Sequence, residues 1–285
     1  MPSDIIFNLA FLSQILFISV WLPWRVVSKA RRVIQAHPAQ DYPRLYPKSP
    51  SWYERALLMF AYLNITISVI GLFFWLVYNA DDTKTDYAGI VWAIFMLQGL
   101  PYILLEVFAF RTWRKMREAD ERTTRQATLR PRRLSDVISI EQLSILGIVF
   151  LVFCFFIYWV EQFNYPWFGG IANVFIIAGT YAFMGGVIIW NLFGKSKDPY
   201  IDDEDRMRRI RHTAKQMWLV CIALTLYAMV TISLQAFDLH AYRQLAMTLY
   251  CQLLVAGYYV TIYRKEGFNF EVYRGDAIAS PKVTS

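Results

Sequence analysis

Seven runs of mostly apolar residues punctuate this chain, near 5–24, 56–78, 88–110, 143–160, 168–193, 217–237 and 242–263. A membrane crossing of about 30 Å takes roughly 20 apolar residues in a helix. Inside hydrocarbon no water satisfies the backbone, so each run must be helical. The shortest run is LSILGIVFLVFCFFIYWV and the last two are the most polar. Only 18% of the residues are charged, against about 25% in a soluble domain. The deficit is uneven, because dense charged segments separate the apolar runs. These features predict an all-α, polytopic fold, a seven-helix bundle forming one membrane domain over residues 1–285.

The charges predict an orientation. Only Met1 to Asp4 precede the first run and no basic stretch leads it, so it reads as an uncleaved anchor with its N-terminus outside. Four segments are then cytosolic: 25–55, 111–142, 194–216 and the tail 264–285. They hold 7, 9, 7 and 4 Lys and Arg, which is 27 of the 29 in the chain. The opposite side holds Asp4, Asp81, Asp82, Asp86, Glu161 and Asp238. This is the positive-inside pattern. It fits a plasma or bacterial cytoplasmic membrane with anionic headgroups as cytosolic-face partners. The net charge of +7 is thereby explained without nucleic acid, and no aromatic-basic platform accompanies it. Cys154, Cys221 and Cys251 all fall within runs, which implies buried free thiols.

Between the runs, Ser51/Glu54 and Ser139/Gln142 have the spacing of capping boxes. Asp198 and Pro199 suit the start of a basic helix leading into the sixth run. On that helix Arg206, Arg208, Arg209 and Arg211 are candidate contacts for a headgroup or a protein partner. The simpler reading is a capped helix with acid early and base late, as its dipole favours.

Helical spacing places polar residues in stripes. In the third run Gln98, Tyr102 and Glu106 stand at i, i+4 and i+8, and Pro101 can kink the helix beside them. The second run carries Ala61, Asn64, Ser68 and Gly71, and the fourth Ser144, Gly147, Cys154, Tyr158 and Glu161. The sixth carries Cys221, Thr225, Ala228, Thr231 and Gln235, and the seventh Gln244, Thr248, Gln252 and Val255. Ala178, Ala182 and Gly186 give the fifth a small-residue packing face. The stripes are expected to turn inward, as helix-helix glue or as the lining of a cavity. Glu106 is the one ionisable group well inside a run. It lies five residues before Arg111, so it is either a buried functional carboxylate or a group that snorkels to the interface. Echoes between runs one to three and five to seven suggest a 3+1+3 repeat with the fourth run as linker.

Several chemistries lack their residues. The seventh run has no lysine for a retinal Schiff base, and His37, His212 and His240 lie outside every run. No His-Glu-x-x-His or Gly-x-Ser-x-Gly motif occurs. No cofactor is implied. Asp81, Asp82 and Asp86, or the acids Asp202 to Asp205, are weak candidates for a metal. The leading expectation is a protein that binds or transports a small neutral or amphipathic molecule through Glu106, Gln98, Tyr102, Asn64 and Gln252. The alternatives are a receptor or scaffold that recruits a cytosolic partner, and an enzyme acting on lipid headgroups. The oligomeric state is left open.

Overall fold

The structure, a computed structural model, describes residues 2–80, 88–118, 132–194, 203–260 and 269–274. All regular structure among them is helical. Helix α1 (Pro2–Ile15) runs through a π-helical turn (Leu16–Trp21) into α2 (Leu22–Ala36). Then follow α3 (Pro50–Ala80), α4 (Ala88–Glu118), α5 (Ile140–Glu161), α6 (Ala172–Phe193), α7 (Asp203–Ala236) and α8 (Arg243–Tyr258). Six rods are long and apolar enough to cross a membrane: Asp4–Ala36, Pro50–Ala80, Gly89–Glu118, Ile140–Glu161, Ala172–Phe193 and Asp203–Ala236. The chain therefore reads as a multi-pass integral membrane protein. The seventh run is represented by α8, whose 16 described residues rise about 24 Å.

The helices pack as two groups. Rod α1–α2 lies against α3 and α8, and α4 bridges α3 and α8. Helices α5, α6 and α7 form the second group, and α7 joins the first along α8. This differs from a 3+1+3 arrangement. The fourth run packs with the fifth and sixth, and the seventh joins the first three. Phe7, Phe11 and Ile15 of α1 meet Val91 and Ile94 of α4 and Met247, Tyr250 and Cys251 of α8 in one apolar cluster. Phe153, Ile157 and Ile177 form the centre of the second group.

Two of the expected inward stripes face outward. On α5, Phe153, Ile157 and Val160 are buried at i, i+4 and i+7. Their bulk takes the interface and leaves Ser144, Gly147, Tyr158 and Glu161 exposed. The side chains of Ser144, Tyr158 and Glu161 lie near the helix ends, where headgroups and water can meet them. On α6, Ala182 and Gly186 are exposed, because Ile177, Ile188 and Leu192 fill the packed side. The Ser139 capping box is present, with Ser139 Oγ accepting from the Gln142 N–H and Gln142 Oε1 from the Ser139 N–H. The Ser51/Glu54 spacing is not the start of α3. That helix begins at Pro50, whose fixed φ and missing N–H suit a first turn. Asp198 and Pro199 lie outside the described residues.

One end of the bundle carries the described basic segments and folds into a cap. Arg132 pairs with Asp203 at 3.2 Å and donates to the Leu192 carbonyl, while Arg206 donates to the Gly194 carbonyl. Both satisfy orphan carbonyls at the C-terminal end of α6, where the helix dipole favours cations. Tyr42, Met116 and Tyr273 form a small apolar cluster here. The 269–274 segment is fastened by Asn269 N–H to Asp205 Oδ2 at 2.8 Å and by Tyr42 Oη–H to Glu271 Oε1 at 2.9 Å.

Candidate functional site

The most polar part of the interior is built around the break in the first rod. At the end of the π turn the Leu22 N–H donates to the Phe17 carbonyl, an i to i−5 bond. The next residue, Pro23, has no N–H to give. Carbonyls 18 and 19 are the ones its absence leaves short, and neighbouring helices supply the donors. Tyr102 Oη–H of α4 reaches the Ile18 carbonyl at 3.0 Å. Ser68 Oγ–H of α3 lies 3.4 Å from the Ser19 carbonyl and 2.9 Å from its own Asn64 carbonyl. The proline, the π turn and the two hydroxyls are one device, which keeps a broken ladder satisfied where water is absent.

Amides continue the network. Gln98 Nε2 donates to Ser19 Oγ at 3.0 Å, and Gln14 Nε2 donates to Gln98 Oε1 at 3.0 Å. Gln14, Ser19, Gln98 and Asn64 are 0%, 2%, 1% and 1% exposed. Two acceptors there have no donor: Gln14 Oε1 and Asn64 Oδ1. Turning both glutamine amides over would exchange the orphan acceptor on Gln14 for an orphan donor. The deficit therefore belongs to the arrangement and not to the choice of amide orientation. Buried polar groups are nearly always paired, so these two acceptors set the network apart from the rest of the interior. α8 is fastened to the same rod nearby, with Gln252 Nε2 donating to the Ala10 carbonyl at 2.8 Å and to Ser13 Oγ at 3.0 Å. A Cβ on Gly71 would meet the Ile15 side chain at 3.2 Å, so α3 and α1 touch closely one turn away.

The expected site residues separate. Gln98 and Tyr102 meet at the break, Asn64 lies one turn from Ser68 on α3, and Gln252 joins through α1. Glu106 is exposed on α4 and does not join them. Eight residues of helix turn about 80° beyond two full turns, so an i, i+8 stripe that starts in the core ends at its edge. The α7 arginines each hold a protein group. Arg206 is on Gly194, Arg208 lies 3.2 Å from Glu204 and 3.4 Å from Asp205, Arg209 stands 4.4 Å over the Trp113 ring, and Arg211 donates to the Asp136 carbonyl at 3.2 Å. Among the described residues no group of metal-ligating side chains occurs. Asp81, Asp82, Asp86 and Asp202 lie outside those residues.

Gln14, Ser19 and Pro23 were not among the residues expected to form the site. Their signal is in the first run, where Gln14 and Ser19 interrupt an apolar stretch and Pro23 follows Ser19 by four residues, where an α-helix would place that carbonyl's donor. Two apolar concavities lie away from the network. One of 320 Å³ is lined by Leu226, Met229, Val230, Ser233, Leu234, Phe237 and Leu239, and one of 20 Å³ by Phe7, Phe11 and their neighbours. No family model, no curated protein and no solved structure matches the chain.

Proposed function

We propose that the protein binds, and carries across the membrane, a small neutral or amphipathic molecule through the interior enclosed by α1, α3, α4 and α8. The chain crosses seven times in this reading, with α8 as the last span, the N-terminus outside and the basic end in the cytosol. The observation that carries it is the amide oxygen of Gln14, fully buried beside a π turn with no donor. Local π geometry recurs at functional sites. Here it coincides with a chain of uncharged donors and acceptors on three helices. A neutral solute bearing a hydroxyl or amide can donate to Gln14 and Asn64 without bringing a charge into hydrocarbon. Passage in this reading requires the four helices to part at this network. Glu106, at the edge of this interior, belongs to its mouth in this reading.

Accessibility tests the reading without knowing the solute. In a background with Cys154, Cys221 and Cys251 replaced by alanine, Ser19→Cys in vesicles should react with a membrane-impermeant thiol reagent. It should react far more slowly than an Arg31→Cys control on the exposed arm. An interior that opens gives a measurable rate, and a solute that binds there slows it. A Ser19→Cys thiol inert from both sides, with the control labelled, overturns transport through this path.

A further inference from the structure

We infer that α2 carries a binding site for anionic phospholipid headgroups, formed by Arg25, Lys29 and Arg32 beneath a collar of Trp21, Trp24 and Tyr259. This goes beyond the small-molecule reading and does not depend on it.

The chemistry starts with charge and spacing. From residue 5 to residue 40 the chain has Arg25, Lys29, Arg31 and Arg32 and not one acid. Arg25, Lys29 and Arg32 stand at i, i+4 and i+7, on one face of the helix. Val27 and Leu22 are buried on the packed side, where α2 lies on α3. Arg31 and Arg32 are exposed. From Arg25 to Arg32 the helix rises about 10.5 Å, enough to pass through the headgroup layer of one leaflet, about 5–7 Å thick.

The depth of the stripe is set by the aromatics. Trp21 and Trp24 are 36% and 61% exposed, and their ring centroids lie 5.6 and 5.9 Å from the Arg25 guanidinium carbon. Tyr259 Oη accepts from Arg25 at 3.1 and 3.3 Å, and the Tyr259 ring packs edge-on against Trp21 at 4.8 Å. Exposed tryptophans beside a tyrosine mark the level where acyl chains give way to headgroups. Arg25 is held there, and Lys29 and Arg32 extend outward from it. The α7 arginines are held by groups of the cap, whereas Arg25 is held by the rings and hydroxyl of the collar itself. A rod that begins inside the membrane also fixes the orientation of its basic arm, which a tethered loop does not.

Each juxtamembrane cation adds about 1 kcal/mol of attraction to an anionic surface, or about fivefold in affinity. The R25Q/K29Q/R32Q variant should therefore lose about a hundredfold in phosphatidylserine affinity, read by native mass spectrometry from mixed micelles with phosphatidylcholine as reference. Removing charge from α4 at the same end, in R114Q/K115Q, should change the preference little. The unmodified protein gives an arm that needs no variant. Its phosphatidylserine preference should fall as salt is raised, while phosphatidylcholine retention stays level. Equal loss in the α4 variant, retention in the α2 variant, or a preference indifferent to salt each overturns the site. Displacement of the lipid by inorganic phosphate at comparable concentration would make it a soluble-phosphate site and overturn the lipid assignment.

Discussion

In the α1–α3–α4–α8 group the centre is made of amides and hydroxyls, while α5, α6 and α7 meet through Phe153, Ile157 and Ile177. Among the described residues the second group pairs Tyr181 Oη with Thr225 Oγ1 at 2.8 Å, and Trp218 Nε1 of α7 donates to the Gln142 carbonyl near the start of α5 at 2.7 Å. Dispersion between apolar side chains is strong in sum but spread over many contacts, with no single pair fixing a direction. Hydrogen bonds between neutral groups are weaker, but each fixes a depth and a rotation. The first group is therefore specified more tightly than its bond energies suggest, and among the described residues it holds the two buried amide oxygens that have no donor, Gln14 Oε1 and Asn64 Oδ1. Packing holds the second group together, and polar pairing sets the register of the first.

Four expected outcomes probe that contrast, the largest first. Phe153→Ala should destabilise the second group by about 3 kcal/mol, since the ring is fully buried and the cavity cannot collapse. Denaturation in detergent, followed by tryptophan emission, measures it. Gln98→Leu should cost about 2 kcal/mol by stranding Gln14 and Ser19. Adding Gln14→Leu should recover a large part of that loss, because removing both partners leaves no orphan. A double variant as unstable as the sum of its parts would break the comparison. Tyr102→Phe should cost about 1 kcal/mol by leaving the Ile18 carbonyl unpaired. The cost should shrink in a Pro23→Ala background, where a backbone N–H is restored, and the four-member cycle reads the coupling.

The smallest effect lies in the cap. The Tyr42 hydroxyl, with help from Arg274, holds the Glu271 carboxyl below the usual carboxylate range. A lowered folded pKa contributes to docking fully above the ordinary glutamate value, about 4.3. It is lost as pH falls below that through the folded value. Release of the 269–274 segment from Tyr42 should thus appear only in acid, as faster amide exchange in that segment. Glu271→Gln should make docking indifferent to pH there.

The lengths and apolar character of the rods are legible from composition alone, because a crossing needs little more than twenty residues that tolerate hydrocarbon. Their grouping is not legible. A helix surrounded by lipid gains nothing from hiding apolar surface, so the outward face of α5 looks in sequence much like an inward one. Residues at i, i+4 and i+8 share a face only approximately, which is why Gln98 and Tyr102 reach the interior while Glu106 is exposed. The break in the first rod was visible as Pro23 after Ser19, but its significance lies in donors from α3 and α4. No local pattern in the first run announces Ser68 or Tyr102.

The π turn also works as a phase shifter. Its i to i−5 bonding accommodates one residue more than an α ladder would, and everything beyond it is offset by about 100°. Were Leu16–Trp21 rewound as an α ladder with no residue removed, the downstream arm would rotate by that angle. Arg25, Lys29 and Arg32 would swing away from the bilayer surface toward α3. A local rewinding at the core would therefore be delivered to the membrane face as torsion, with one stiff rod linking an amide hidden among four helices to the outermost guanidinium of the arm.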